Sequence, residues 1–214
     1  MVTAMTKLQI GWAVCCFFAV AGCAQKEGAA PVAPDAGIAV SCIAVMPVQP
    51  AVDVEELASP AELKTLKDGS QVMSGMLKQF LTGKAQVRFV PDAQAQAGMN
   101  ENAADRLASS RRIAKESGCN AVLETTLSRY NERVGGDYGV KQPAAVTFAY
   151  KLYEVGEGRM LCHGRFDEQQ QSVMENLLTL PKAKARGLTW LTAEELLRAG
   201  LQERLGQCSY LDGK

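Results

Sequence analysis

The most constraining feature of this sequence is an amino-terminal segment that carries almost no charge. Lys7 is the only charged residue before Lys26, and residues 8–21 are apolar apart from Gln9 and Gly11. This stretch has the length of the apolar region of a secretory signal peptide and is shorter than the roughly 20 residues that a membrane-spanning helix needs. We therefore expect residues 1–22 to be an export signal that takes no part in the fold.

The apolar stretch ends in a short motif, Val20-Ala21-Gly22-Cys23. This motif resembles the lipobox of bacterial lipoproteins, in which a small apolar triplet precedes the cysteine. The resemblance implies that the Cys23 thiol receives a diacylglyceryl group, that the signal is cleaved before Cys23, and that the new amino terminus is acylated. The alternatives are an ordinary secretory signal with an accidental cysteine, or a short membrane anchor.

Lipidation at Cys23 would determine the location of the protein. Two or more acyl chains hold a protein stably at a membrane, at about 0.8 kcal/mol per buried methylene. Residue 24 is alanine rather than the aspartate that often marks inner-membrane retention in enteric bacteria. By that resemblance we expect a lipid anchor in the outer membrane, with the protein facing the periplasm. Beyond the covalent diacylglycerol and the N-acyl chain, such as palmitate, we expect no cofactor.

The remaining chain divides into a tether and one domain. Residues 24–36 are rich in Ala, Pro and Gly and poor in large apolar residues, so they cannot bury enough surface to fold. They would reach roughly 20 Å from the lipid as a flexible chain. We predict a signal peptide at 1–22, the lipidated cysteine and tether at 23–36, a periplasmic α/β domain at 37–208, and a tail at 209–214.

Charge and composition exclude several classes of protein. The chain has 23 basic and 23 acidic side chains, so it has no long-range attraction for nucleic acid. Its hydrophobic content of 47% is too high for a disordered chain. Because His163 is the only histidine, a centre with several histidine ligands is impossible, and we expect no metal site.

The predicted domain keeps four cysteines: Cys42, Cys119, Cys162 and Cys208. An oxidising compartment permits disulfides, and four cysteines allow three pairings. Their spacing matches no metal-binding or redox motif. The sequence leaves open whether they form a bridge or stay as buried thiols.

The apolar pattern predicts the order β-α-β-α-β-β-β-α. Residues 37–46 form a nearly continuous Val- and Ile-rich run, typical of a buried central strand. A capping box at Ser59 predicts the start of a helix that ends near Gly83, with a possible break at Gly69. A second capping box, at Thr192, predicts the start of a final helix that ends at Gly206. The other elements are a strand at 85–90, a helix from about 100 to 118, and strands at 121–133, 145–155 and 160–167.

Such an order gives an α/β (α+β) fold with a single mixed sheet and helices packed on it. This order, with the segments IAVMP and LYEVGEGRML, is similar to small envelope lipoproteins of the curli-secretion and penicillin-binding-protein-activator type. The resemblance implies an anticodon-binding-like domain behind a lipidated tether. The chain lacks the long extra hairpins of a curli-type pore, so we do not expect it to form a pore.

We find no catalytic motif in the sequence, and we expect a protein that is not an enzyme. His163 and Cys162 are adjacent in a predicted strand, so their side chains point to opposite faces and cannot form a dyad. A dyad of His163 with Cys42 or Cys119 would need a tertiary contact. A hydrolase or redox enzyme built on such a dyad is a third hypothesis, beside the two that are stated at the end of this section.

Two surface features are candidate partner contacts. Tyr138 lies in a glycine-rich loop, and exposed tyrosines often anchor partners. The segment 172–190 carries Lys182, Lys184, Arg186 and Trp190, a combination that suits anionic headgroups or an acidic partner. The simpler alternatives are a plain hairpin loop and a solvated turn in which Trp190 packs against the last helix.

These observations favour a non-enzymatic, membrane-anchored lipoprotein whose periplasmic domain binds another cell-envelope component, either protein or glycan. The alternative hypothesis is an oligomeric component of an envelope secretion or transport machine.

Overall fold

The computed structural model describes residues 38–51, 59–84, 86–98, 103–136, 139–170 and 190–212. The predicted signal, Cys23 and the tether lie outside these ranges. The described elements are β1 (Ile43–Val45), β2 (Gln49–Pro50), α1 (Pro60–Leu81), β3 (Val87–Phe89), α2 (Asp92–Gly98), α3 (Ala103–Glu116), β4 (Ala121–Asn131), β5 (Val134–Gly136), β6 (Gly139–Gln142), β7 (Ala145–Glu154), β8 (Met160–Gln169), α4 (Ala193–Leu205) and α5 (Ser209–Asp212).

One mixed sheet organises these elements. Its strand order is β3-β1-β4-β7-β8, and β2 continues the line of β1 beside β4. β1 is parallel to β3 and β4, whereas β4, β7 and β8 are antiparallel. The short strands β5 and β6 pair only with each other in the described part of the chain. The structure thus confirms a mixed α+β fold with helices packed on a mixed sheet.

Helices α1 and α4 begin as the sequence predicts. The Ser59 hydroxyl accepts from the Glu62 N–H and the Glu62 carboxylate accepts from the Ser59 N–H, which is a complete capping box for α1. Thr192 and Glu195 do the same for α4. A break at Gly69, which the sequence left possible, is absent, because α1 runs through this glycine without interruption.

Gly69 lies in α1 for a packing reason. A Cβ built on it would stand 2.6 Å from Cγ of Tyr130 and 3.0 Å from a methyl of Leu127. Likewise, a Cβ built on Gly200 of α4 would stand 2.7 Å from Cδ1 of the Phe166 ring. The two glycines let α1 and α4 approach the sheet closely, which an alanine would prevent.

Two core clusters lie on opposite faces of the sheet. The first contains α1, α4 and the inward residues of β1, β4, β7 and β8, including Ile43, Leu123, Phe148 and Phe166. The second, smaller cluster contains α2, α3 and residues such as Ala44, Met46 and Val122. In β7 the predicted alternation is confirmed: Val146, Phe148, Tyr150 and Leu152 belong to the first cluster.

A clamp holds the start of the domain. The Asn120 side-chain oxygen accepts from the N–H groups of Ser41 and Cys42, at 3.0 and 3.1 Å, while its amide donates to the Ala39 carbonyl at 2.7 Å. The neighbouring Cys119 forms a disulfide with Cys42. A second disulfide joins Cys162 of β8 to Cys208, which follows α4. The structure therefore selects one of the three pairings.

Other parts of the architecture differ from the predicted order. The predicted first strand, residues 37–46, is shorter in the structure, where β1 covers Ile43–Val45. The two-residue strand β2, which follows Pro47, was not predicted. The helix α2 and the hairpin β5–β6 were not predicted. Residues 209–212, expected to be tail, form the short helix α5, whose Leu211 is buried. No described helix is long and apolar enough to cross a membrane.

Candidate functional site

Trp190 is the only predicted site residue within the described chain. Cys23, Tyr138, Lys182, Lys184 and Arg186 all lie outside the described residues. The half-buried Trp190 precedes the cap of α4. Its carbonyl accepts from the Arg133 guanidinium at 2.6 Å, and the N–H of the next residue donates to the Gln170 amide oxygen at 2.7 Å. This backbone anchoring suits a structural role at the start of α4.

The structure gives no thiol partner to His163. The four cysteines of the domain form two disulfides, so a dyad of His163 with Cys42 or Cys119 has no free thiol. His163 is exposed on β8 and lies opposite Lys151 of β7. In the described part of the chain, no group of three or more His, Cys, Asp and Glu residues could hold a metal ion.

Helices α2 and α3 pack on one face of the sheet. The part of that face beyond α3 is a polar surface. The smaller core cluster includes Tyr153 at one end of β7 and no residue of β8. We call the following residues the polar sheet face: Glu124, Thr126 and Arg129 of β4; Thr147, Ala149 and Lys151 of β7; and His163, Arg165 and Asp167 of β8. Sequence reasoning missed this surface, although the polar alternation of β7 and β8 was its signal.

The strand register places these side chains in rows. Glu124, Lys151 and His163 form one row across the three strands, and Arg129, Thr147 and Asp167 form another. Directly opposed side chains on neighbouring strands lie about 5 Å apart at Cβ. The register thus brings charges of both signs onto one face, and Lys151, His163 and Arg165 are exposed there.

Asp167 is the most constrained charge of the polar sheet face. Its carboxylate accepts from Arg129 at 2.6 Å, from the Thr147 hydroxyl at 2.9 Å and from Arg165 at 3.2 Å. Partial burial opposes ionisation, but the hydrogen bonds from Thr147 and Arg165 and the two positive charges outweigh it, so the pKa of Asp167 lies below its ordinary value. Asp167 therefore holds two guanidinium groups in place on the surface.

A hollow of about 200 Å³ borders the polar sheet face where α3 leaves the sheet. Arg106, Glu124, Lys151 and Tyr153 are among its lining residues. Burial, helped by the charge of Glu124, raises the pKa of the Tyr153 phenol.

A larger groove, of about 470 Å³, lies at the carboxyl ends of β1 and β3. It is bounded by the segment of residues 45–50, one side of α1, and the start of α2. Ser70, Gln71 and Ser74 of α1 line it. The candidate sites on the described residues are therefore the polar sheet face with its bordering hollow, and this groove.

Comparison with known proteins gives distant structural likenesses. Neither a protein-family model nor a curated protein matches the sequence. Among solved structures, the PelC dodecamer from Paraburkholderia phytofirmans is 11% identical, with a TM-score of 0.45 over 78% of this chain and 86% of that one. Lipoprotein GNA1162 from Neisseria meningitidis is 20% identical, with a TM-score of 0.41 over 69% and 95%.

The C-terminal domain of LpoB from Salmonella enterica is 17% identical, with a TM-score of 0.33 over 63% of this chain and 87% of that one. The structures that resemble this chain thus include a lipoprotein. Since the identities and TM-scores are low, we infer neither partner nor activity from them.

Proposed function

We propose that this protein is a non-enzymatic lipoprotein, anchored through Cys23, whose domain binds another component of the cell envelope. The observation that carries the proposal is the polar sheet face. It presents Arg129, Lys151 and Arg165 against the carboxylates Glu124 and Asp167. A face with ordered charges of both signs supplies orientation and specificity for a partner of complementary charge.

The arrangement of Asp167 supports a binding role for this surface. Long arginine side chains lose conformational entropy when they bind a partner, and that loss weakens association. Arg129 and Arg165 are already held by ion pairs to Asp167, at 2.6 and 3.2 Å. The surface is therefore partly organised before a partner arrives, and we expect the partner to place acidic or amide groups over these arginines.

Site-specific photo-crosslinking in intact cells tests this proposal. Benzoylphenylalanine would be incorporated at position 151 or 163 on the polar sheet face, and at the exposed positions 79 and 202 on α1 and α4 as matched controls. We expect a discrete adduct, identified by mass spectrometry, from positions 151 and 163. Adducts from the control positions only, or none from positions 151 and 163, would contradict the proposal.

The anchor is proposed from the sequence motif at Cys23 and has its own test. Metabolic labelling with palmitate should mark the native protein and should not mark Cys23→Ala. Density fractionation of the membranes would then assign the labelled protein to the outer or the inner membrane. Labelling that persists in Cys23→Ala would place the acyl chains elsewhere.

A second candidate function is an oligomeric component of an envelope machine. The observation that favours it is β8, a ten-residue strand at the edge of the sheet that pairs only with β7 among the described strands. Long edge strands can pair with another chain. Measuring the mass of the detergent-solubilised lipoprotein distinguishes the two candidate functions. A ring or large oligomer favours the oligomeric component, and a monomer with a crosslinked partner favours the binding protein.

A further inference from the structure

The groove at the carboxyl ends of β1 and β3 stands where open α/β sheets bind ligands. The connection from β1 to β3 passes through α1 on one face, and the connection from β3 to β4 passes through α2 and α3 on the other. Such a divergence opens a crevice at the carboxyl ends of the strands, a general position for ligand sites. The volume of about 470 Å³ is in the range of small-molecule sites.

A buried hydroxyl in this groove has no partner. Ser70 is only 4% exposed, and its Oγ makes no hydrogen bond within the described structure. Buried polar groups are nearly always satisfied, and the Ser70 hydroxyl is an exception among the residues that line the groove. Nearby, the Ser74 hydroxyl accepts from the Val48 N–H at 3.1 Å and keeps its own proton to donate.

The rim of the groove carries groups that both donate and accept. Gln71 of α1 and Gln96 of α2 line it, and both are exposed. Neither side-chain amide makes a hydrogen bond within the described part of the chain. The groove also has an apolar part, since Leu77, Phe89 and Val90 line it. Amides and hydroxyls above an apolar floor match a sugar ring, whose hydroxyl groups also donate and accept and whose C–H face is apolar.

Charge narrows the class of sugar. Lys67 and Lys78 of α1 line the groove and are exposed, and neither has a carboxylate partner among the described residues. They stand about 16 Å apart along the helix, from its rise of about 1.5 Å per residue. Asp92 is the acidic residue among the described lining residues. The net positive charge favours a ligand that carries carboxylates.

An extended peptide is a poorer fit to the same groove. A peptide that adds as a strand needs free backbone donors and acceptors on the edge it joins. On the segment that borders the groove, Pro47 and Pro50 have no N–H, and the Val48 N–H is already bonded to Ser74. A ligand in the groove would therefore be contacted mainly by side chains.

We propose that this groove binds a short segment of an acidic glycan, with Gln71 and Gln96 on the sugar hydroxyls and Lys67 or Lys78 on a carboxylate. The inference goes beyond the proposed function, since it does not depend on the polar sheet face. A negative crosslinking result at positions 151 and 163 would leave it intact.

Saturation-transfer NMR titrations on the full-length, detergent-solubilised lipoprotein test the inference. The probes are the disaccharide N-acetylglucosaminyl-N-acetylmuramic acid, a disaccharide of two uronic acids, and neutral chitobiose. We expect at least one acidic disaccharide to bind more tightly than chitobiose, and the preferred acid would identify the kind of glycan. Binding of neither acidic disaccharide, or equal binding of chitobiose, would overturn the proposal.

Two variants locate the binding. Gln71→Leu should weaken the affinity for the acidic disaccharide about two- to tenfold, as expected for the loss of one hydrogen-bonding group. Gln79→Leu makes the same change at an exposed position of α1 outside the described groove lining, and it should leave the affinity unchanged. Lys67→Gln combined with Lys78→Gln should reduce the preference for the acid over chitobiose. An affinity that survives both groove variants would place the site elsewhere.

Discussion

Asp167 shows how one carboxylate can organise a surface. It accepts from Arg129, Thr147 and Arg165, and these contacts keep its pKa below the ordinary value despite partial burial. Because the folded state lowers this pKa, ionised Asp167 contributes stability above about pH 4, the ordinary value of an aspartate. That contribution is lost as the pH falls through the lowered pKa.

We predict that Asp167→Asn destabilises the domain at pH 7 by up to about 1 kcal/mol, since the ion pairs are half-exposed. The difference from the native protein should be smaller at pH 3, which is below the ordinary pKa of an aspartate. Urea denaturation at the two pH values measures it. As a control, Asp68→Asn removes an exposed pair with Lys64 on α1 and should cost only about 0.3–0.5 kcal/mol. A cost for Asp167→Asn that is equal at both pH values would contradict the linkage.

Helix α1 offers two glycines with opposite surroundings. A Cβ on Gly69 would lie 2.6 Å from the Tyr130 ring, whereas a Cβ on Gly75 would meet nothing within 4 Å. We expect Gly69→Ala to cost about 1–3 kcal/mol through overpacking. Gly75→Ala should stabilise the protein by up to about 1 kcal/mol, because alanine is the better helix former. Urea midpoints of the two variants measure both effects, and shifts of the same sign would refute the explanation.

The cap of helix α4 gives a second prediction about a single helix. Thr192→Ala removes the hydroxyl that accepts from the Glu195 N–H at 3.1 Å, and it should cost about 1 kcal/mol. Thr65→Ala in the interior of α1 is the matched control, since its hydroxyl only donates back to the Ala61 carbonyl at 3.0 Å and alanine is favourable there. Thermal unfolding compares the two; equal losses would argue against the capping box.

Elements set by local chemistry were predictable from the sequence, and elements set by tertiary contacts were not. The caps at Ser59 and Thr192 and the alternation of β7 are local patterns, and the structure confirms them. Helix α2 is short and carries no strong apolar periodicity, so it was missed. The groove combines residues 45–50, α1 and α2, which are brought together only by the crossovers, and the polar sheet face depends on the register of three strands.

The two disulfides connect distant parts of the whole domain. Cys42 and Cys119 are separated by 77 residues and Cys162 and Cys208 by 46. Closing loops of this length in the unfolded chain corresponds to roughly 4 kcal/mol of stabilisation for each bridge in the chain-entropy treatment. The Cys162–Cys208 bond joins β8 to the end of α4, so it reinforces the edge of the sheet.

We expect the double variant Cys162→Ser with Cys208→Ser to lower the free energy of unfolding by about 2–5 kcal/mol. Denaturation with and without a thiol reductant measures it. In reductant the difference between the variant and the native chain should become smaller, because the native bridge is then also open. A variant that unfolds like the native chain under oxidising conditions would show that this bond does not form.

The clamp at the start of the domain has a mechanical consequence. A pull on the amino-terminal end of the chain reaches the fold at Ala39, Ser41 and Cys42, which are held by Asn120 and by the bond to Cys119. The load passes at once to β4, the longest of the described strands, which is bonded to strands on both of its sides. Tension is thus shared across the centre of the sheet instead of peeling an outer strand, and the domain should keep its shape while it is pulled from that end.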